Sequence, residues 1–157
     1  LQTTNPTIFA MGDVVSTEQP KLTPVAGYEA GYLAKYFGGD PAPIAFKAIP
    51  TMVFGQPSLA QVGVPASIAA DNDQYLLITN DMHKWYSYHR LNEPVAKAKV
   101  VIDRNNETVV GATILSNHAD YLINIFTLMI NQHMKISDFN QEILAYPPFA
   151  SDIQYLV

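Results

Sequence analysis

The sequence predicts an α+β fold, in which an antiparallel sheet of four or five strands carries helices on one side and follows a shorter segment of one strand and one helix. Two observations lead to this prediction. Residues 96–102 and 108–115 are strand-like runs on either side of Asp103–Glu107, whose turn-forming residues are typical of an antiparallel hairpin. Residues 117–130 then place apolar side chains at helical spacing, and a helix that is apolar on most sides is buried against other structure.

Composition narrows the class of protein and of partner. The chain has 157 residues, of which 48% are hydrophobic and 15% charged, as in ordered globular proteins. Its net charge of −5 argues against nucleic acid or an anionic membrane as a partner, since either needs a basic patch. No apolar run approaches the roughly 20 residues that span a bilayer. The chain contains no cysteine, which excludes disulfides, thiolate metal sites and a cysteine nucleophile within it. We expect a cytoplasmic protein.

The first segment has a predicted strand that ends at a glycine and an aspartate. The apolar run Ile8–Met11 is bounded by Pro6 and Gly12, as expected of a short buried strand. Gly12 allows the backbone to approach another group closely, and the Asp13 carboxylate can accept hydrogen bonds from hydroxyl groups. The same pattern occurs in plain turns and in ligand sites.

A helix is then predicted from about Pro24 to Phe37, with Thr23 as its N-cap and a pair of glycines at its end. The unpaired N–H groups and the positive dipole end of its first turn favour an anion or a carbonyl oxygen. We therefore expect the strand end and the helix start to face one ligand. The sequence Asp40–Pro43 reads as a stiff connector, so the predicted domains are residues 1–44 and 45–157.

The second domain is predicted to contain short strands followed by helices. Its expected elements are strands at 49–54 and 75–79, a short edge strand or turn at 58–63, a truncated helix within 65–73, a loop at 80–92 and the hairpin. The long helix begins at Asn117, with Asp120 reaching back in a capping box. A third helix runs from Ile136 to about Leu144, and a last one covers 151–157.

Two ordered motifs carry a resemblance to a known family. Ala-Met-Gly-Asp at 10–13, followed by Leu-Thr-Pro-Val-Ala at 22–26, resembles the second FAD motif of the pyridine nucleotide-disulfide oxidoreductases, the family of glutathione reductase and dihydrolipoamide dehydrogenase. Pro50, Phe54, Pro57 and Ala-Gln-Val-Gly at 60–63 match the opening of that family's dimerisation domain. The strand at 109–115 resembles the family's Leu-Gly-Ala-x-Ile-x-Gly strand.

The resemblance implies a fold, cofactors and partners. Residues 1–44 would be the C-terminal part of the FAD-binding domain and 45–157 the dimerisation domain of an FAD-dependent, NAD(P)H-linked oxidoreductase. It implies a homodimer that reduces a disulfide or a related small-molecule acceptor. The residues implied at the cofactor are Gly12 and Asp13, which binds the ribitol chain, and the backbone of Thr23, Pro24, Val25 and Ala26, which faces the pyrimidine end of the flavin.

The Gly-rich fingerprint of a dinucleotide fold is absent from the sequence. We therefore expect a C-terminal piece of a larger enzyme, which by itself binds no cofactor and is inactive.

The family's usual catalytic motif is altered. Where it reads His-Pro-Thr-x-x-Glu, this chain has Tyr146-Pro-Pro-Phe-Ala-Ser, with Asp152 one position after the glutamate. Tyrosine, whose reference pKa is about 10, is a poor general base at neutral pH but can donate a hydrogen bond to a sulfur or an oxyanion. The change argues against the usual proton relay. Tyr146 is interpreted either as a substrate-facing phenol at the partner subunit's flavin or as an ordinary buried tyrosine, and Asp152 is its candidate companion.

Other candidate residues give weaker predictions. His83, His89, His118 and His133 have no partners at metal-ligand spacing, so no metal site is predicted. An aromatic cluster at 83–89 either covers the core or forms a binding surface. Two other functions remain open: a stand-alone α+β interaction domain without a redox role, and a flavoprotein oxidase or reductase that lacks the thiol pair.

Overall fold

The chain folds as two compact units, Leu1–Phe46 and Lys47–Val157. The structure, a computed structural model, describes residues 1–40 and 42–157. Pro41, which belongs to the predicted connector, lies outside the described residues. The boundary between the two units lies between residues 46 and 47, and the predicted domain boundary lies between residues 44 and 45.

The first unit is built around helix α1, Thr23–Phe37. The helix and its glycine end are confirmed: Gly38 is the C-cap, and Gly39 has a φ of +98°. Thr23 is the first helical residue and not the N-cap, because the extended backbone of Leu22 takes that place without a side-chain hydrogen bond.

The predicted strand Ile8–Met11 is wrong. The structure has only one antiparallel bridge there, between Gln2 and Phe9, followed by a 3-10 turn at Gly12–Val14. A strand needs a neighbour along its length to pair its N–H and C=O groups. Within the described part of the first unit, this run has no paired strand beside it and makes only the single bridge.

The second unit contains a five-stranded antiparallel sheet in the order β1-β2-β5-β4-β3. Its strands are β1 Thr51–Val53, β2 Ser58–Gly63, β3 Tyr75–Asp81, β4 Lys97–Asp103 and β5 Thr108–Ser116. The predicted hairpin is confirmed as β4 and β5. The prediction of an edge position or turn for 58–63 is wrong, because β2 pairs with β1 on one side and with β5 on the other.

Four α-helices and a C-terminal 3-10 helix complete the second unit. They are α2 Ala66–Ala70, α3 Tyr86–His89, α4 Ala119–Asn131, α5 Ile136–Phe139 and the 3-10 helix Phe149–Tyr155. Helix α3 lies inside the predicted loop, and α5 is a single turn rather than a helix to Leu144. The last segment forms i to i+3 hydrogen bonds, such as Leu156 N–H to the Ile153 oxygen at 2.9 Å, which are typical of short helical pieces.

Helix α4 packs against β2 and β5, which confirms the predicted apolar stripe. Its buried side chains, Leu122, Ile123, Phe126 and Met129, join those of Ala60, Val62, Ala112 and Ile114 in one core. The predicted capping box is wrong: the N-cap is His118, without a side-chain cap. Asn117 is not the cap because α4 begins at Ala119, which places the N-cap at His118; the Asn117 amide Nδ2 instead donates to Glu93 Oε2 at 2.5 Å.

A pair of glycines lets the chain cross closely at the end of β2. Gly63 and Gly111 are register partners, and the Val64 N–H donates to the Val110 oxygen at 2.9 Å. A Cβ on Gly111 would lie 2.1 Å from the Val64 oxygen. A Cβ on Gly63, which also has a φ of +70°, would lie equally close to the Val110 oxygen. Only glycine fits both positions.

None of the helices formed by the described residues has both the length and the apolar character of a transmembrane span.

Candidate functional site

The first candidate site is the turn that carries Asp13 in the first unit. Gly12 has a φ of +73°, in the left-handed region that glycine adopts readily. The turn is closed by a hydrogen bond from Val15 N–H to the Gly12 oxygen at 3.0 Å. Asp13 is exposed, so its carboxylate is open to hydrogen bonds from a ligand.

The first turn of α1 offers a ligand fewer backbone N–H donors than the four residues Thr23–Ala26 suggest. The N–H groups of Val25 and Ala26 both donate to the Leu22 oxygen at 3.0 Å, and Pro24 has no N–H. Of the four residues Thr23–Ala26, only Thr23 therefore has a backbone N–H without an acceptor in the described structure. Any direct contact of this turn with a flavin oxygen depends mainly on Thr23.

A buried glutamate joins the turn to the helix. Glu29 is 1% exposed, and its Oε2 accepts a hydrogen bond from the Gly12 N–H at 2.6 Å. Sequence reasoning missed this residue. A signal was present, however, because Glu29 stands four residues from both Val25 and Leu33 on the buried stripe of α1, where an acidic residue is unusual.

The second candidate site is the segment that begins at Tyr146. Tyr146 is 66% exposed, so the interpretation of an ordinary buried tyrosine is wrong. Its ring stacks on that of Tyr86, with centroids 6.0 Å apart and planes at 17°. Two further aromatic pairs join α3 and its N-cap to the last segment: Tyr88 with Phe149, and Trp85 with Tyr155.

Asp152 lies in the same segment, but in the interior. It is 4% exposed, and within the described residues its Oδ2 has no hydrogen-bond partner. Burial raises the pKa of its carboxyl, while the neighbouring Ser87 hydroxyl acts in the opposite direction. The fully buried Tyr88 has its pKa raised by burial, by Asp152 and by Glu93. No hydrogen bond joins Tyr146 to Asp152 in the described structure, so the two do not form a side-chain pair.

A histidine–carboxylate pair lies against this segment. His118 Nε2 is 3.2 Å from Glu93 Oε1, and its ring stacks on Phe149 with centroids 3.8 Å apart. The pairing was not visible in the sequence, because the two residues are 25 positions apart. A second pair, His83 with Asp81 at 2.7 Å, lies at the surface. No group of three potential metal ligands occurs among the described residues.

The structure brings some of the predicted site residues together and keeps others apart. Gly12, Asp13, Val25 and Ala26 line one crevice of the first unit. Thr23 and Pro24 are exposed at the start of α1. Tyr146 and Asp152 share a segment of the second unit without contacting each other. The roles assigned to these residues remain predictions.

Comparison with known proteins identifies the family of the second unit. A family model described as the dimerisation domain of the pyridine nucleotide-disulphide oxidoreductases matches residues 49–157. The flavoprotein disulfide reductase RclA of Escherichia coli, which is induced by HOCl, shares the fold with a TM-score of 0.84 at 20% identity. That comparison covers 98% of this chain and 35% of the reductase.

The similar proteins include enzymes about three times as long as this chain and one protein of similar length. Dihydrolipoyl dehydrogenase of Bacillus subtilis is 32% identical over 149 residues, which are 93% of this chain and 31% of the enzyme. Glutathione reductase of Burkholderia cepacia is 30% identical over 153 residues, 96% of this chain and 34% of the enzyme. A 19.7 kDa protein of the mercuric resistance operon of Staphylococcus aureus is 35% identical over 155 residues, 98% of this chain and 86% of that protein.

The chain therefore spans about a third of the enzymes that it matches and most of one shorter relative. The family match covers more than half of the chain, and it coincides with the five-stranded sheet and its helices. The chain belongs to the pyridine nucleotide-disulphide oxidoreductase family and carries its dimerisation domain.

Proposed function

We propose that this chain is the dimerisation part of an FAD-dependent, NAD(P)H-linked oxidoreductase that resembles the disulfide reductases, and that it associates as a homodimer in the cytoplasm. Residues 1–44 belong to the FAD-binding domain in this proposal, and 45–157 to the dimerisation domain. The match of residues 49–157 to the family's dimerisation domain is the observation that carries it. By itself the chain binds no cofactor and is inactive.

The outward face of α4 supports homodimerisation. This helix buries one side in the core, yet Tyr121 and Leu128 on its other side are 67% and 61% exposed. Phe54, at the end of β1, is 86% exposed. Exposed large apolar side chains on an ordered surface are typical of a protein interface. A second copy of the same chain would bury them.

Sedimentation analysis of the chain tests this proposal. We expect a dimer, and we expect Leu128→Lys to raise the dimer dissociation constant by at least about tenfold, since a charge would be buried in an apolar contact. Ser67→Lys adds the same charge at an exposed position of α2 and serves as the control. A wild-type chain that remains monomeric at high concentration would refute the proposal.

The turn at Gly12 and Asp13 supports the cofactor assignment. An exposed carboxylate beside a left-handed glycine can accept hydrogen bonds from the ribitol hydroxyls, and Thr23 N–H is available for a flavin oxygen. Val25 and Ala26, whose N–H groups both donate to the Leu22 oxygen, would act through the positive dipole end of α1 and not through a direct hydrogen bond. In the intact enzyme we expect Asp13→Ala to abolish flavin retention, measured as visible absorbance of the purified protein. Full flavin content in that variant would contradict the role of Asp13.

Tyr146 is proposed to act at the partner subunit's flavin. Its exposure of 66% leaves the phenol accessible, and a phenol can donate a hydrogen bond to a reducible disulfide or a related small-molecule acceptor. Asp152 would act only indirectly, through the packing of the same segment. Tyr146→Phe should slow turnover of the intact enzyme and leave its flavin content unchanged. An unchanged rate would assign Tyr146 a purely structural role.

A stand-alone interaction domain is the second candidate function. The Staphylococcus aureus relative favours it, because this chain covers 86% of that protein and the short length therefore occurs elsewhere. Isolation of the native protein as a flavin-free homodimer would support this alternative. Flavin bound to the native protein would count against it.

A further inference from the structure

Glu29 holds the Gly12–Asp13 turn against α1. Its Oε2 accepts the Gly12 N–H at 2.6 Å from 17 residues away in the sequence. A hydrogen bond to a carboxylate is among the stronger ones in proteins, so this contact fixes the Gly12 peptide. It thereby sets the direction in which Asp13 leaves the turn.

A buried glutamate at this position lowers the stability of the fold, so a purely structural role does not explain it. Its Oε1 is buried without a hydrogen-bond partner among the described residues, and a buried carboxylate oxygen that lacks a partner opposes folding. A glutamine could accept the same hydrogen bond through its amide oxygen without burying a negative charge. The negative charge therefore calls for a reason other than stability.

The crevice beside the turn supplies that reason. It is lined by Asp13, Glu29 and Lys21 among others, and the Lys21 ammonium is engaged, since it donates to the Val15 oxygen. The charged groups at the crevice are thus two carboxylates and one ammonium group. The Gly12 N–H, which could otherwise bind an anion, is occupied by Glu29. A phosphate would be repelled by the two negative charges, whereas a neutral hydroxyl group can donate to the exposed Asp13 carboxylate; Glu29 is buried and acts through its charge alone.

We propose that Glu29 is a positioning and selectivity residue of this turn. Its hydrogen bond to Gly12 keeps Asp13 directed at the ligand, and its negative charge makes the turn accept a neutral polyhydroxyl chain and reject a phosphate. This inference rests on the proposed cofactor contact, in which the turn meets the ribitol chain of FAD.

Two conservative variants separate the hydrogen bond from the charge. Glu29→Gln keeps the acceptor and removes the charge, whereas Glu29→Asp keeps the charge and shortens the side chain by one methylene. Glu18→Gln, at an exposed position of the same unit, is the control. Amide NMR spectra of the labelled chain provide both readouts, and the amides of the second unit report whether each variant is folded.

The first readout is the hydrogen exchange rate of the Gly12 amide. We expect Glu29→Asp to accelerate this exchange by at least about tenfold, because a charge-assisted hydrogen bond is lost. Glu29→Gln keeps a neutral acceptor and should accelerate the exchange less than Glu29→Asp, and Glu18→Gln should stay close to wild type. Equal Gly12 exchange in wild type and Glu29→Asp would overturn the positioning role.

The second readout is a titration with inorganic phosphate at constant ionic strength, followed at Gly12, Asp13 and Thr23. Glu29→Gln should bind phosphate at least about fivefold more tightly than wild type, since one nearby repulsive charge is removed. Glu29→Asp, which keeps the charge but frees the Gly12 N–H, should gain less than Glu29→Gln, and Glu18→Gln should match wild type. Equal phosphate affinity in wild type and Glu29→Gln would overturn the selectivity role.

Flavin retention by the intact enzyme separates this inference from the proposed function. Loss of flavin in Asp13→Ala would support the cofactor contact. Full retention in that variant would count against that contact, while the Gly12 exchange and the phosphate titration would still decide the role of Glu29.

Discussion

Replacing Gly111 with alanine is expected to destabilise the second unit severely. The added Cβ would lie 2.1 Å from the Val64 oxygen, where ordinary contacts begin at 3.4 Å, so the two backbones would have to separate by about 1.3 Å. Overpacking of a core typically costs about 1–3 kcal/mol. Here the obstructing oxygen is a backbone atom that cannot rotate away, and the hydrogen bond from Val64 to Val110 is also strained. We expect a loss of about 3–4 kcal/mol in the free energy of unfolding.

Urea unfolding followed by tryptophan fluorescence measures this loss. Trp85 is the single tryptophan of the chain and lies in the second unit, so the signal reports that unit. Thr113→Ala, a half-buried position of the same strand, is the matched control and should cost about 1 kcal/mol or less. A loss for Gly111→Ala no larger than that of the control would refute the reasoning.

Three further changes test other features by the same unfolding measurement. Burial raises the pKa of Asp152, so stability should fall as pH rises from about 4 through the raised pKa; Asp152→Asn should remove this fall and stabilise the protein at pH 7. The hydrogen bond from Gln74 lowers the pKa of Asp103, so its contribution is present above about pH 4 and is lost on acidification; Asp103→Asn should flatten that loss. An unchanged pH profile in either variant would contradict the assigned shift. Asn131→Leu removes the hydrogen bonds of 2.9 and 3.2 Å to Ala48 and should cost about 1–3 kcal/mol; a cost near zero would show that they contribute nothing net.

Local patterns predicted the elements whose partners are close in sequence. The hairpin of β4 and β5 follows from two strand-like runs and five turn residues between them. Helix α1 follows from its proline start and glycine end. In both cases the hydrogen-bonded partners lie close in sequence, no more than 18 positions apart in the hairpin, where Lys97 pairs with Leu115, so a local pattern carries the signal.

Elements that depend on distant partners were misassigned. The run 58–63 was given an edge position, although β2 pairs with β5 some 50 residues later, for example Ala60 with Ile114. The run at Ile8 lacks a partner strand and forms a single bridge. The cap predicted at Asn117 lies one position too early, because α4 begins at Ala119, and the Asn117 amide instead donates to Glu93 in another part of the chain. Such competition is decided by tertiary contacts, which no local pattern contains.

In the candidate site, too, local features were predictable and contacts between distant residues were not. The turn and the helix start were predictable because glycine, aspartate and proline have specific backbone and hydrogen-bonding properties. The crevice partner Glu29 and the pair of His118 with Glu93 were not predicted, because folding brings together residues that are 17 and 25 positions apart.

The edge-to-face contact between Trp85 and Tyr155, with ring centroids 6.0 Å apart, gives the protein an internal optical probe. Emission from the sole indole depends on whether the C-terminal residues remain docked on α3, the helix that also carries the stacking partner of Tyr146. Release or docking of the C-terminal segment could therefore be followed in real time without attaching a dye.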